Sequence, residues 1–138
     1  MSIRFDNRVA IVTGAGSGLG RSHALLLASR GAKVVVNDLG GAVDGSGGSL
    51  TPAQRVVAEI EAAGGAAIAN ADSVANPEGA KRMVQAAIDQ WGRVDILVNN
   101  AGILRDRTIL KMTPEDFDAV VAVHLAGSAY CTMAAWPH

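Results

Sequence analysis

The stretch Thr13-Gly14-Ala15-Gly16-Ser17-Gly18-Leu19-Gly20 constrains this chain more than any other. It follows the apolar run Val9-Ala10-Ile11-Val12 and opens a helical segment expected to reach about Arg30. A turn that brings backbone amides against an anion needs residues without a Cβ where the chain reverses. It also needs a helix N-terminus aimed at the charge. Glycines at 14, 18 and 20 meet both needs, with Ser17 and Leu19 inside the turn. The spacing G-x-x-x-G-x-G differs from the G-x-G-x-x-G fingerprint, and the Gly-Lys-Ser/Thr of a P-loop does not occur here.

An acid stands where such a turn would use one. Asp38 ends the β-rich run Lys33-Val34-Val35-Val36-Asn37, at the distance from the glycines expected of a ribose-binding carboxylate. A carboxylate there accepts hydrogen bonds from adenine-ribose hydroxyls and repels a 2′-phosphate. No arginine lies within the turn or directly after Asp38. The expected cofactor is NAD in preference to NADP, its pyrophosphate on Gly14, Ser17, Gly18, Leu19 and Gly20.

The rest of the chain alternates strands and helices. Ala66-Ala67-Ile68-Ala69-Asn70 reads as a third strand and Asp95-Ile96-Leu97-Val98-Asn99 as a fourth. Apolar runs without alternation suit a parallel sheet covered on both faces. Thr51-Pro52 with Gln54 predicts a capped helix start, as do Asn76-Pro77 and Thr113-Pro114 with Asp116. Gly64-Gly65 and Gly92 mark helix ends. Phe117, Val120, Val121, His124 and Cys131 would line the inner face of the last helix. The fold class is α/β: a Rossmann-type doubly wound parallel sheet with strands 3-2-1-4 present and the C-terminal strands missing. Residues 1–138 read as one NAD-binding domain. The glycine-rich connection Leu39 to Leu50 reads either as a flexible surface loop or as a flap over the cofactor's adenosine end.

Twelve basic and thirteen acidic side chains leave a net charge of −1 in 138 residues. There is no basic stripe for nucleic acid or a membrane surface, so neither is an expected partner. A single cysteine, Cys131, provides neither a disulfide nor a metal-ligand cluster, and no metal site is expected. The N-terminus lacks the apolar run of a signal peptide, and no apolar stretch reads as long enough to span a bilayer. With no peroxisomal or ER address at Ala135-Trp136-Pro137-His138, a cytoplasmic location is expected.

Thr13-Gly14-x-x-x-Gly18-x-Gly20, Asp38, Asp72 and Asn99-Asn100-Ala101-Gly102 together resemble the short-chain dehydrogenases/reductases, over essentially the whole chain. Val36-Asn37-Asp38-Leu39-Gly40-Gly41, Asp72-Ser73-Val74 and Gly102-Ile103-Leu104-Arg105-Asp106-Arg107 resemble the (3R)-hydroxyacyl-CoA dehydrogenase part of the peroxisomal multifunctional enzyme type 2 branch. The resemblance implies oxidation of a hydroxyacyl-CoA or steroid alcohol to the ketone, by an enzyme that is a homo-oligomer. It implies that Asp72 bonds the adenine amino group, with the Ser73 amide nearby. By the same resemblance Asn99 lines the adenine-ribose side, and Ala101-Gly102 let the cofactor pass close to the backbone. Asn99 and Asn100 also have a structural reading, as ties between neighbouring strand ends. His124 takes the place where the family usually has an asparagine in a proton-relay water chain. Its position seven residues after Phe117 favours a hydrogen-bonded core histidine.

The family's catalytic Tyr-x-x-x-Lys and upstream serine do not occur in these residues. Tyr130, the one tyrosine, has Ala134 four residues on. No catalytic residue is therefore assigned. The expected function is that of a dehydrogenase's cofactor-binding half, as a truncated product or part of a longer molecule, needing the rest of the chain for turnover. The alternative is a non-catalytic nucleotide-binding module or truncated paralogue.

Overall fold

The structure, a computed structural model, describes residues 2–40 and 50–138. Its order is β1 (Val9–Val12), α1 (Gly18–Ser29), β2 (Lys33–Asn37), α2 (Pro52–Ala62), β3 (Ala66–Asn70), α3 (Pro77–Trp91) and β4 (Ile96–Val98). A continuous helix follows, made of α4 (Pro114–Val121), a π-helical turn (Ala122–Ala126) and α5 (Gly127–Ala135). The strands form one sheet in the order β3-β2-β1-β4, every pairing parallel. This is the expected doubly wound arrangement. The flap reading falls mostly on 41–49, outside the described residues.

Successive residues of a strand point to opposite faces, so each central strand feeds two cores. Ala10, Val12, Val34 and Val36 pack with Ala24 and Ala28 of α1 and with Val56 and Ile60 of α2. Val9, Ile11 and Val35 face Ala80, Met83, Val84 and Ala87 of α3 and Cys131 of α5. Truncating a fully buried Ile60 or Met83 to alanine removes contacts on the order of 2–5 kcal/mol. The helix starts are made as their sequences predict. Thr51 and Gln54 form a reciprocal capping box, the Asn76 side chain accepts from the Glu78 and Gly79 amides, and Thr113 accepts from the Asp116 amide. Gly92 ends α3 at φ 78°, a conformation that favours glycine.

Three expectations are corrected. β4 is shorter than Asp95–Asn99: after Val98 the chain turns, with the Asn100 amide bonding back to the Val98 carbonyl (3.0 Å), and Asn99 donates from its side chain to Thr132 (3.1 Å). Of the residues expected on the inner face of the last helix, Cys131 is buried but Phe117 is 60% exposed, and α4 buries none of its residues. Among the described residues, α4 packs substantially against no strand and no helix other than the π-turn that continues it, so neither of its faces is covered. Finally, 114–135 is a 22-residue helix long and apolar enough, by length and composition alone, to cross a membrane. Its sequence is not an unbroken apolar run, because Glu115, Asp116, Asp118, His124, Ser128 and Thr132 interrupt it. In the fold, α5 packs Cys131 against the α3 side of the sheet.

Candidate functional site

Parallel strands deliver all their C-terminal ends to one edge of the sheet. Thr13 follows β1, Asp38 follows β2, Asp72 follows β3, and Asn99 to Gly102 follow β4. The glycine turn sits at the centre of that edge. Gly14 and Gly18 have φ +62° and +57°, where a side chain would be strained. A Cβ added to Gly18 would meet nothing within 4 Å, so this part of the turn faces open space. The first helical bond of α1 joins the Arg21 amide to the Ser17 carbonyl (3.1 Å), and Ser17 makes no side-chain cap among the described residues. The amides of Gly18, Leu19 and Gly20 precede that bond and stand at the positive end of the helix. At Gly20 a Cβ would lie 2.5 Å from Asn100 Nδ2 and 2.9 Å from Ala15 Cα, so glycine there permits close packing of helix on turn. This backbone fits a pyrophosphate.

Asp38 is joined to the turn directly. Its Oδ2 accepts from the Gly16 amide and its Oδ1 from the Gly40 amide, both at 2.9 Å. A Cβ on residue 16 would lie 2.7 Å from Asp38 Oδ2, so Gly16 belongs to the site although the spacing argument passed over it. Beside it, buried Asn37 donates from Nδ2 to Asn70 Oδ1 (2.8 Å) and to the Asp72 carbonyl (2.9 Å). Asp72 accepts from Asn70 Nδ2 at 2.9 Å and from Arg82 Nε at 2.8 Å, and Ser73 Oγ accepts from the Ala75 amide at 3.2 Å. Asp38, Asp72 and Ser73 thus line the ends of β2 and β3.

On the other side of β1, Thr13 and Asn100 form a clasp. Thr13 Oγ1 accepts from the Asn100 and Ala101 amides at 3.0 and 2.9 Å, while Asn100 Nδ2 donates to the Thr13 and Gly14 carbonyls at 3.0 and 3.1 Å. Asn100 therefore has the strand-tying role. Asn99, at the end of β4, donates from its side chain to Thr132 Oγ1 at 3.1 Å. His124, within the π-turn, is hydrogen-bonded to the Ile103 backbone but exposed, so it is not a core histidine. Tyr130 packs on the α3 side, beside Pro77 and Lys81. A hollow of about 570 Å³ lies beside β4 between Ile96, Leu97, Thr132 and Trp136, away from the turn. It is the unpaired edge of the sheet.

A doubly wound sheet with a glycine turn after β1 and an acid after β2 defines a dinucleotide-binding Rossmann unit. The short chain dehydrogenase profile matches residues 8–138, and the chain belongs to that family, whose members are oxidoreductases that bind NAD(P). It is 58% identical over 136 residues to the peroxisomal multifunctional enzyme type 2 of Drosophila melanogaster, covering 99% of this chain and 22% of that protein. It is 53% identical over 137 residues to the peroxisomal hydratase-dehydrogenase-epimerase of Saccharomyces cerevisiae, covering 99% of this chain and 15% of the relative. A crystal structure of a short chain dehydrogenase from Mycobacterium avium superimposes with a TM-score of 0.88 at 53% identity, covering 94% of this chain and 45% of that one. The chain thus spans well under two thirds of the proteins it matches.

These matches correct the expected cytoplasmic location. Five of the matched relatives are named as peroxisomal proteins, which overturns that expectation. An address of that kind is a short receptor-read signal. Fold-forming residues that make up a fraction of the relatives' length do not report it.

Proposed function

We propose that this chain forms the NAD-binding half of a short-chain dehydrogenase that oxidises a hydroxyacyl-CoA or a steroid-like alcohol to the ketone. The observation that carries the reading is the hydrogen bond from the Gly16 amide to Asp38 Oδ2, which fixes a carboxylate beside an open, glycine-built anion cradle. Gly14, Ser17, Gly18, Leu19 and Gly20 would hold the pyrophosphate. Asp38 would take the adenine-ribose hydroxyls and repel a 2′-phosphate. Asp72, already oriented by Arg82 and Asn70, would accept from the adenine amino group beside the Ser73 amide. Ala101 and Gly102 would border the far end of the cofactor, beyond the Thr13–Asn100 clasp. Bound NAD supplies the hydride acceptor; these residues bind and orient it.

The substrate class rests on the likeness to multifunctional enzyme and hydratase-dehydrogenase-epimerase proteins, and it carries the peroxisomal setting with it. No Tyr-x-x-x-Lys occurs in residues 1–138, so the chain alone is expected to bind the cofactor without turnover. Calorimetric titration with NAD tests the binding half of the reading, and Gly18→Val should abolish the heat by filling the cradle. NADH production from a hydroxyacyl-CoA or steroid alcohol by these residues alone, lost in Tyr130→Phe, would contradict the account of what they lack.

A further inference from the structure

Gly102 and His124 compete for one space. A Cβ on Gly102 would lie 2.6 Å from His124 Cε1 and 3.1 Å from Nε2, closer than packed carbon atoms approach. A free imidazole could swing aside at little cost. This one is held: Nε2 lies 3.0 Å from the Ile103 nitrogen and 2.9 Å from the Ile103 carbonyl oxygen. A neutral ring nitrogen either donates or accepts, so one tautomer receives the Ile103 N–H and the other donates to its C=O. Either tautomer fastens the backbone leaving β4 to the helix, and moving the ring forfeits that bond. The ring comes from the middle of the π-turn Ala122–Ala126, and such turns within α-helices recur at functional sites.

The place of the fastening in the fold assigns its purpose. With strand order β3-β2-β1-β4 and the adenosine-binding acid after β2, a dinucleotide laid across the strand ends reaches its other half over β4. We propose that His124 is a positioning residue for that far half. It fixes the path of Gly102-Ile103 along the cleft, and residue 102 is glycine because the imidazole fills the side-chain space. The proposal rests on reading the cleft as a dinucleotide site. It departs from the cofactor-clearance role implied for Gly102 by family resemblance.

The experiment has two arms, both on the 138-residue chain. In the first, thermal midpoints are measured for Gly102→Ala, His124→Ala and the double variant. Gly102→Ala alone should lower the midpoint by roughly 5 °C, and in the His124→Ala background it should cost less than half of that. Strictly additive losses would overturn the shared-space claim. In the second, calorimetry compares NAD with ADP, which spans the adenosine and pyrophosphate only. His124→Ala should weaken NAD roughly threefold to tenfold and leave ADP within about twofold. His124→Asn, which offers a donor and an acceptor to Ile103, should recover most of the loss. Equal weakening of both ligands, or no weakening of NAD, would overturn the positioning role. An unaltered chain that binds neither ligand overturns the dinucleotide reading itself, while the midpoints still decide whether Gly102 and His124 interlock.

Discussion

The Asp38 carboxylate accepts the Gly16 amide at 2.9 Å, so the acid ending β2 and the turn leaving β1 form a single device. A methyl group on residue 16 would lie 2.7 Å from Asp38 Oδ2 and equally close to Pro52 Cβ. Gly16→Ala should therefore displace the carboxylate and lose a charge-assisted hydrogen bond, weakening NAD about tenfold. Calorimetric titration reads the effect. Unchanged affinity would show that Asp38 is positioned without Gly16.

Asp95 links the start of β4 to β1. The Arg93 guanidinium first, then the Val9 amide and Arg8, holds its carboxyl down at about 2. A carboxyl whose folded pKa lies below its unfolded value stabilises the fold above pH ~4, and that stability is lost as the pH falls toward 2. Both arginines are about half exposed, and solvent screening holds the contribution to about 1 kcal/mol. Urea midpoints measured from pH 5 to pH 2 should fall less steeply in Asp95→Asn than in the unaltered chain. Parallel curves would remove Asp95 from the acid response.

Cys131, on the buried face of α5, is 1% exposed, and burial pushes its thiol up to about 11. A disulfide reagent at neutral pH should label it only as fast as the chain unfolds. Because the folded pKa is raised, stability should be complete below pH ~8.5 and decline as pH rises toward 11. Rapid labelling under native conditions would show that α5 opens without global unfolding.

Much of this was legible in advance, and the rest failed for identifiable reasons. Val9–Val12 and Lys33–Asn37 are apolar enough to announce central strands, and Thr51, Asn76 and Thr113 announce helix starts because capping is a local hydrogen bond. Asp38 could be found by spacing from the glycines. Gly16 could not, because its reason is a contact between two strand ends. The signal for Asn100 was visible as a strand tie, because an Asn side chain at a strand end finds neighbouring backbone groups. Periodicity marks which residues share a helix face but not whether anything packs on it, so the exposure of Phe117, on a helix that no strand or other helix among the described residues covers, was not legible.

β4 is an edge strand whose Ile96, Leu97 and Val98 are only half-buried, and Phe117, Leu125, Met133 and Trp136 stand exposed along or just beyond the last helix. Unpaired edges and uncovered apolar faces associate. The chain should therefore self-associate as concentration rises, seen as a growing weight-average mass in sedimentation equilibrium. Leu125→Glu with Met133→Glu should lower the association. A monomer at every concentration, with slow amide exchange at Ile96–Val98, would contradict this.

The account stands most directly on the ratio of NAD to NADP affinity, measured calorimetrically for the unaltered chain and for Asp38→Ala. A carboxylate facing the adenine-ribose hydroxyls, with no arginine directly after it to receive a phosphate, should favour NAD by about a hundredfold, since repulsion and lost hydrogen bonds together reach roughly 3 kcal/mol. Removing the carboxylate should shrink that preference toward unity, chiefly by weakening NAD. Equal affinities in the unaltered chain, or a preference that survives Asp38→Ala, would contradict the assignment of this edge of the sheet as the NAD site.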